Sequence, residues 1–416
     1  MRVAIHTLGT RGDIQPYLAL ALGLTARGHD VQLAAPIQFE AMIGERGVAF
    51  APLPGEFLAL MDTPEGKAAI AGGQGFSAGF KLLKHVRPLM RGLLDAEWSA
   101  AQGFSPDVVV YHPKSIASPH IAEKLGCRSI LASPLPGFTP TSAFPSPLLP
   151  FASLGPLNRI SHALAIRGSD FLFGGLLREW RETSLHLPRR RLGKGAPTAT
   201  LYAYSPHVVP VPRDWDSNVL VSGYWFLDSE DWTMPDDLAS FLNAGAPPIY
   251  VGFGSMPGLD PVNIAAIAIE ALARTGKRGL LATGGGALAP QNVPQSVHVI
   301  ANAPHDRLFA HVAATVHHGG AGTTAASIRA GKPMTICPFF GDQPFWARRM
   351  CDLGIAPRPL DRKRLSVETL AAAITEMDNP QMRERAAMLG TAIRREQGVT
   401  AAINFIEART ASKPSP

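Results

Sequence analysis

Short apolar runs alternate along this chain with longer stretches in which apolar positions recur at helical spacing. "RVAIHT" (2–7), "DVQLAAP" (30–36), "DVVVYH" (107–112) and "RSILAS" (128–133) read as strands. "QPYLALALGLTARG" (15–28) and residues 116–125 read as helices between them. Strands that are apolar throughout suit a sheet covered on both faces. Strand–helix–strand at this spacing predicts parallel pairing with right-handed crossovers.

The rhythm breaks twice. Residues 134–160, with "PLPGFTPTSAFPSPLLPFASLGP", form a Pro-rich insertion that reads either as a substrate-facing loop or as a disordered one. "SPHVVPVPRDWDSN" (205–218) carries Pro206, Pro210 and Pro212 without helical periodicity and reads as an interdomain linker. Beyond it the alternation restarts, with strands at 249–255, 278–284, 297–302, 314–318 and 334–339. Helices are expected at 262–274, 323–331, 343–353, 366–377, 380–389 and 400–409. The fold class is α/β, with two doubly wound, Rossmann-like domains. They are placed at 1–204 and 221–395, with a linker at 205–220 and a C-terminal helix and tail at 396–416.

Composition acts mainly by exclusion. Hydrophobic residues make up 46% and charged residues 17% of the 416, which fits a globular chain. The opening "MRVAIHTLGTRGD" is broken by His6 and Arg11 and lacks the apolar core of a signal peptide. Prolines interrupt the apolar stretch from Ser129 to Leu157, so no membrane span is expected. Cys127, Cys337 and Cys351 follow no disulfide or metal spacing and read as thiols of a reducing cytosol, giving a cytoplasmic expectation. The formal net charge of +6 comes without a basic stripe interleaved with aromatics, which argues against nucleic acid. "LPRRRLGKG" (187–195) reads as a solvated loop. "FKLLKHVRPLMRGLL" (80–94), interrupted by Pro88, reads as a packed surface helix or as a membrane-surface helix giving peripheral membrane contact.

Ligands of open parallel sheets bind at the carboxyl ends of strands, which directs attention to four turns. "TLGTRGD" (7–13) has two glycines that let backbone approach a ligand, and Asp13 there reads as a helix cap or as a chemical group. In "GFGSM" (252–256), Ser255 can cap a helix or hold a phosphate oxygen. "HHGGAGTT" (317–324) ends a strand in His317 and His318 and opens a helix through Gly319, Gly320, Ala321 and Gly322. The unpaired amides of such a helix mouth attract anions, although this is neither a P-loop nor a G-x-G-x-x-G turn. Adjacent histidines point to opposite faces of a strand, so only one faces the mouth and a metal pair is disfavoured. "FFGDQPFWARRM" (339–350) places Asp342 and Gln343 at a strand end, where acid and amide suit a polyhydroxylated ligand or the acid simply caps a helix.

The run from His317 to Met350 resembles the nucleotide-sugar signature of inverting glycosyltransferases of the two-domain GT-B type. It is most similar to the sterol glucosyltransferase branch and to bacterial relatives acting on antibiotics and other lipophilic aglycones. "LGTRGDIQPYLALALGLTARGHDV", "PHVVPVPRDW" and "PPIYVGFGSM" extend the resemblance along nearly the whole chain. It implies two domains facing across a cleft, with C-terminal helices crossing back to the N-terminal domain. By the same resemblance His318 contacts the donor's phosphates, Gly320, Gly322 and Thr323 cradle them, and Ser255 reaches the same diphosphate. Asp342 and Gln343 hold sugar hydroxyls, Asn302 and Ala303 lie near the nucleoside, and Asp13 takes the place of the general base. His317 is left as scaffold.

Plant relatives carry a tryptophan where this chain has Asn302 and a glutamate where it has Ala326. The choice between uridine and thymidine diphosphate donors is therefore open, with UDP-glucose expected first. His112 falls near the place of the aspartate that orients the plant base histidine. It reads either as the partner of Asp13 in a swapped dyad or as a core histidine. No metal or resident cofactor is expected, and the partners are a nucleotide sugar and a lipophilic acceptor. The alternatives are a nucleotide-sugar 2-epimerase and a non-catalytic nucleotide-sugar-binding protein.

Overall fold

The computed structural model describes residues 1–56, 76–188, 197–229, 231–254, 256 and 260–411, without the side chains of 76–85 and 169–172. The chain divides into two compact units. The first holds Met1–Ser146, Ser153–Leu227 and the chain from Gln397; the second holds Pro147–Ala152 and Asp228–Glu396.

In the first unit, strands β1 (Arg2–His6), β2 (Asp30–Pro36), β3 (Ala49–Leu53), β4 (Val108–Tyr111), β5 (Arg128–Ser133), β6 (Ala199–Tyr202) and β7 (Val219–Val221) form one sheet. Its order is β3-β2-β1-β4-β5-β6-β7 and each pairing is parallel. Helices α1 (Arg11–Ala26), α2 (Glu40–Gly44), α3 (Phe76–Phe104), α4 (Ser118–Leu125) and α5 (Asn158–Thr183) connect the strands. Val3, Ile5, Leu33, Val108, Val110 and Ile130 are all but sealed from solvent against Leu18, Leu20 and Leu24 of α1. The switch point, where chain order reverses, lies between β1 and β4.

The second unit repeats the plan. Strands β8 (Ile249–Gly252), β9 (Gly279–Ala282), β10 (Val297–Ile300), β11 (Ala314–His317) and β12 (Met334–Ile336) run in the order β10-β9-β8-β11-β12, again parallel. Its helices are α6 (Asp236–Asn243), α7 (Pro261–Arg274), α8 (His305–Leu308), α9 (Ala321–Arg329), α10 (Gln343–Asp352), α11 (Val367–Glu376) and α12 (Pro380–Arg395). The switch point here lies between β8 and β11. Among the described residues no helix is long and apolar enough to cross a membrane.

The last helix, α13 (Gly398–Ala411), belongs to the first unit. Ala402, Ile403 and Ile406 enter the core beside α1, each isoleucine contributing about 1.5–3 kcal/mol of burial. Gly23 is bare where they meet, because a methyl there would lie 2.6 Å from Val399 Cγ1 and 2.9 Å from Ile403 Cδ1. His29 Nε2 and Arg27 Nη2 reach Glu407 at 2.9 and 3.2 Å.

Three expectations change. The stretch 205–218 is not a linker: Val208 and Val209 are buried, Trp215 stacks on Tyr202 at 4.9 Å, and β7 follows as a strand of the first sheet. From Ser153 the chain stays in this unit as far as Leu227. Pro88 does not interrupt its helix, since α3 runs through it. A proline inside a helix costs about 3 kcal/mol. Val86, Met90, Leu93 and Leu94 are buried on the same helix, and that burial outweighs the cost. This half of 80–94 is therefore a packed helix. Residues 138–142 of the Pro-rich segment after β5 are pinned to the first unit, while Pro147–Ala152 belong to the second. Asp214 accepts from Thr141 Oγ1 (2.7 Å), Ser142 N (2.9 Å) and Ser142 Oγ (2.9 Å). Tyr202 Oη accepts from Phe138 N at 3.2 Å and donates to Thr139 Oγ1 at 2.8 Å. The basic cluster at 187–195 lies largely outside the described residues.

Candidate active site

The chain turns from β1 into α1 earlier than its apolar spacing suggests, because Thr10 and Asp13 form a capping box. Asp13 Oδ2 accepts from Thr10 N at 2.8 Å and from Thr10 Oγ1 at 3.1 Å, while Thr7 Oγ1 donates to the Asp13 carbonyl at 2.7 Å. Asp13 thus caps the helix from its third position rather than from the cap itself. Its place is fixed by glycine. Gly9 has φ +133°, and a methyl on it would sit 2.2 Å from Asp13 Oδ2 and 2.7 Å from Lys114 Nζ. The bare backbone at Gly9 makes room for a carboxylate and an ammonium.

The chain leaving β4 completes the group. His112 N donates to His6 O at 2.8 Å, which continues the ladder past the strand end. Lys114 N donates to His112 Nδ1 at 3.1 Å, so the imidazole proton sits on Nε2, 3.4 Å from Asp13 Oδ1. That separation exceeds a formed hydrogen bond. Lys114 Nζ lies 3.0 Å from Asp13 Oδ2. The His112 ring packs edge-on against Tyr17 at 5.6 Å, and Tyr17 Oη donates to Ala132 O.

Burial pushes His112 down to about 3 despite the nearby carboxylate, so it meets Asp13 as a neutral N–H. Burial alone would raise the Asp13 carboxyl. The Lys114 cation, His112 and the bonds from Lys114 and Thr10 outweigh it and hold the group below the usual aspartate range.

Beneath this loop lies a polar cluster that the sequence reading missed. Glu97 of α3, His6 at the end of β1, Ser115 and Ser118 are all 0% exposed. His6 Nδ1 lies 3.2 Å from Glu97 Oε2 and 3.0 Å from Ser118 Oγ, while the Ser115 hydroxyl donates to the same carboxylate oxygen. The cluster ties α3 to β1 and to the residue after Lys114. A histidine closing an otherwise apolar buried strand signals such a partner, because buried polar atoms need one.

In the second unit the side chains gather at the corresponding switch point. His317 is fully buried, and its Nδ1 accepts from Gly319 N at 3.0 Å. The His318 ring packs on the bare edge of Gly320: a methyl there would lie 2.6 Å from Nε2, and one on Gly254 would lie 3.6 Å from Cε1. Gly319 has φ +89° and a methyl there would meet Ile336 Cγ2 at 2.6 Å, so the turn is restricted to glycine. Gly320 is the cap of α9 and no side chain caps that helix, while a methyl on Gly322 would meet nothing within 4 Å. Thr323 follows in the first turn.

Asp342 stands at the cap of α10 without a capping bond, and its Oδ2 accepts from Trp346 Nε1 at 2.8 Å. Gln343 Oε1 accepts from Phe339 N (2.7 Å) and Phe340 N (3.3 Å), and its Nε2 lies 3.4 Å from Met256 Sδ. Gln343 therefore braces the loop through its oxygen, while its amide nitrogen donates to Met256 Sδ. The structure brings His318 beside Gly320 and Gly254, and Gln343 beside Met256. Asn302 and Ala303 stand apart from them after β10, at the sheet edge, where the Asn302 side chain lies over bare Gly284. Ser255 lies outside the described residues.

Burial holds His318 down to about 4 and His317 further below the ordinary histidine range. Below about pH 6.5 the unfolded chain takes up protons that these two and His112 decline while folded. Their contribution to stability is complete above that pH and is lost as pH falls toward 4, at roughly 1 kcal/mol per histidine for each pH step. Thermal melting should accordingly drop between pH 7 and pH 5. A midpoint that holds or rises over that range would contradict the buried, neutral state of these rings.

Residues 3–145 match the glycosyltransferase family 28 N-terminal domain, and residues 285–397 match the erythromycin biosynthesis protein CIII-like C-terminal domain. The fold is that of the glycosyltransferase of kitacinnamycin, with TM-score 0.74 at 21% identity over 98% of this chain and 99% of that one. The calicheamicin glycosyltransferase CalG4 superposes with TM-score 0.70 at 18% identity, over 100% and 99% of the two chains. Two parallel α/β units of this plan are the GT-B fold. In sequence, 97% of the chain is 36% identical to the sterol 3-beta-glucosyltransferase UGT80B1 of Arabidopsis thaliana, covering 67% of that protein. A sterol 3-beta-glucosyltransferase of Aspergillus fumigatus is likewise 36% identical over 98% of this chain, which spans 30% of its length. The chain belongs to the sterol 3-beta-glucosyltransferase family of glycosyltransferases.

Proposed function

We propose that the protein transfers glucose from its uridine diphosphate form to the hydroxyl of a lipophilic aglycone, a sterol first of all, with inversion at the anomeric carbon. The observation that carries this reading is the Asp13 carboxylate: Oδ2 is occupied by Thr10 and Lys114, while no described residue hydrogen-bonds Oδ1. A base with one open oxygen is what activation of an acceptor hydroxyl requires.

The acceptor oxygen bonds to the anomeric carbon as the bond to the diphosphate breaks. The hydroxyl proton passes to Asp13 Oδ1, and the electron pair leaves with the diphosphate. A hydroxyl near pKa 16 gives up its proton late to a carboxylate, so Asp13 acts as the new bond forms. His112, neutral and aimed at the same oxygen, steadies the carboxylate. The departing charge is met by the amides opening α9 at Ala321, Gly322 and Thr323, by the His318 N–H and by Ser255. Asp342 and Gln343 take the sugar hydroxyls, and Asn302 and Ala303 the nucleoside. With His318 neutral at working pH, its contribution is a hydrogen bond and not an ion pair.

Thymidine diphosphate sugars are the second reading. Asn302 in place of the plant tryptophan leaves the base open, and the glycosyltransferase VinC, solved in complex with DTDP, shares the fold at TM-score 0.67. Membrane contact is proposed at the start of α5, where Leu157 at its cap and Ile160 and Leu164 in its first turns are 56%, 53% and 67% exposed.

The test is a panel of UDP- and TDP-sugars against sterols, flavonoids and macrolides, read by mass spectrometry, with sterol offered both in detergent and in vesicles. A glucosylated sterol from UDP-glucose, formed faster from vesicles, is expected. Product only from TDP-sugars would replace the donor. Sugar isomerisation without acceptor would indicate a 2-epimerase, and nucleotide-sugar binding without turnover a non-catalytic protein.

A further inference from the structure

We infer that Lys114 is a positioning residue for Asp13: its ammonium, bound to Oδ2, fixes the carboxylate rotamer and leaves Oδ1 as the oxygen that receives the acceptor proton. The inference rests on the reading of Asp13 as the base. It is carried by a steric and polar frame rather than by the contact alone. Lys114 Nζ and Asp13 Oδ2 share the space over Gly9 where any side chain would collide with both. The Lys114 backbone amide meanwhile holds His112 Nδ1, so one residue sets the carboxylate from one side and the imidazole tautomer from the other. Ser115, the next residue, is locked into the buried Glu97–His6 cluster, which gives the lysine a fixed origin.

The ionisable groups bearing on Asp13 among the described residues are Lys114 and His112 from the β4–α4 segment and Tyr17 from α1. Tyr17 and His112 are held neutral by burial, so Lys114 is the one cation among them. The Lys114 side chain is 52% exposed, and solvent reduces its effect without removing it.

The experiment compares kcat/KM against pH for the wild type, Lys114→Met and Lys114→Arg. The wild-type acid limb should lie below the ordinary aspartate range, because the lysine helps keep Asp13 ionised. In Lys114→Met it should rise by about 1 unit or more, while turnover at pH 8 stays within about tenfold because Thr10 still holds Oδ2. Lys114→Arg should restore the low limb. A merely structural role would instead lower the rate equally at every pH and leave the limb in place, and that result overturns the inference. The ¹³C shift of the Asp13 carboxyl in the wild type gives a readout independent of turnover. Titration in the ordinary aspartate range, about 3.9, would also overturn it. Full activity in Asp13→Asn would remove the base itself and leave the carboxyl titration as the surviving measure of the lysine's effect.

Discussion

Asp13→Asn should lower turnover by about 10² to 10⁴ while nucleotide-sugar affinity stays within about twofold. The substitution is nearly isosteric, and its amide oxygen can still accept from Thr10 N, so the cap of α1 survives. What disappears is the proton acceptor. If the oxygen keeps Thr10 and Lys114, the amide nitrogen faces the Nε2–H of His112, a donor against a donor, and the acceptor hydroxyl meets no base at all. Replacing His112 with Gln separates the two readings of that residue. A dyad partner should cost tenfold or more at unchanged melting temperature. A core histidine should cost stability first. Steady-state kinetics with calorimetry of donor binding checks both, and wild-type turnover in Asp13→Asn would end the assignment of the base.

The second large effect is expected at His318. Removing one preorganised donor from a developing anion typically costs about 10² to 10³ in rate. His318→Ala should show a loss of that order, together with weaker binding of the nucleoside diphosphate. The ring is neutral down to about pH 4, so binding of the diphosphate should not strengthen between pH 8 and pH 6 through this residue. His317 offers the contrast. It is fully buried and its Nδ1 holds the Gly319 amide, so His317→Ala should lower the melting temperature more than His318→Ala does. Equal and small losses in both variants would refute the phosphate assignment.

Much of this was legible in the sequence because the strands speak locally. "DVVVYH" and "IYVG" are apolar on both faces, and a parallel sheet under helices asks for that. The strand-end turns carrying Asp13, His318, Asp342 and Gln343 then fall where the sheet topology places ligands. What stayed hidden depends on partners far along the chain. Asp13 and Lys114 are 101 residues apart, and His6 and Glu97 are 91 apart, so no spacing rule connects them. The segment 205–218 belongs with these. Its prolines suggest a linker, but Val208, Val209 and Trp215 find their contacts in the first unit's core and on Tyr202. The glycines of "TLGTRGD" read as an approach for a ligand, yet the space over Gly9 goes to Asp13 and Lys114, the latter 101 residues beyond Asp13. Gln343 was legible as a polar group at the right place, while its bracing bonds to Phe339 and Phe340 were not.

The most direct measurement of the central claim is the anomeric configuration of the product, read by NMR, together with the acceptor dependence of nucleoside diphosphate release. From an α-linked nucleotide sugar, one displacement assisted by Asp13 predicts a β-glycoside and one diphosphate released per acceptor consumed, with none released when acceptor is withheld. An α-glycoside, or diphosphate released at the same rate without acceptor, would contradict it.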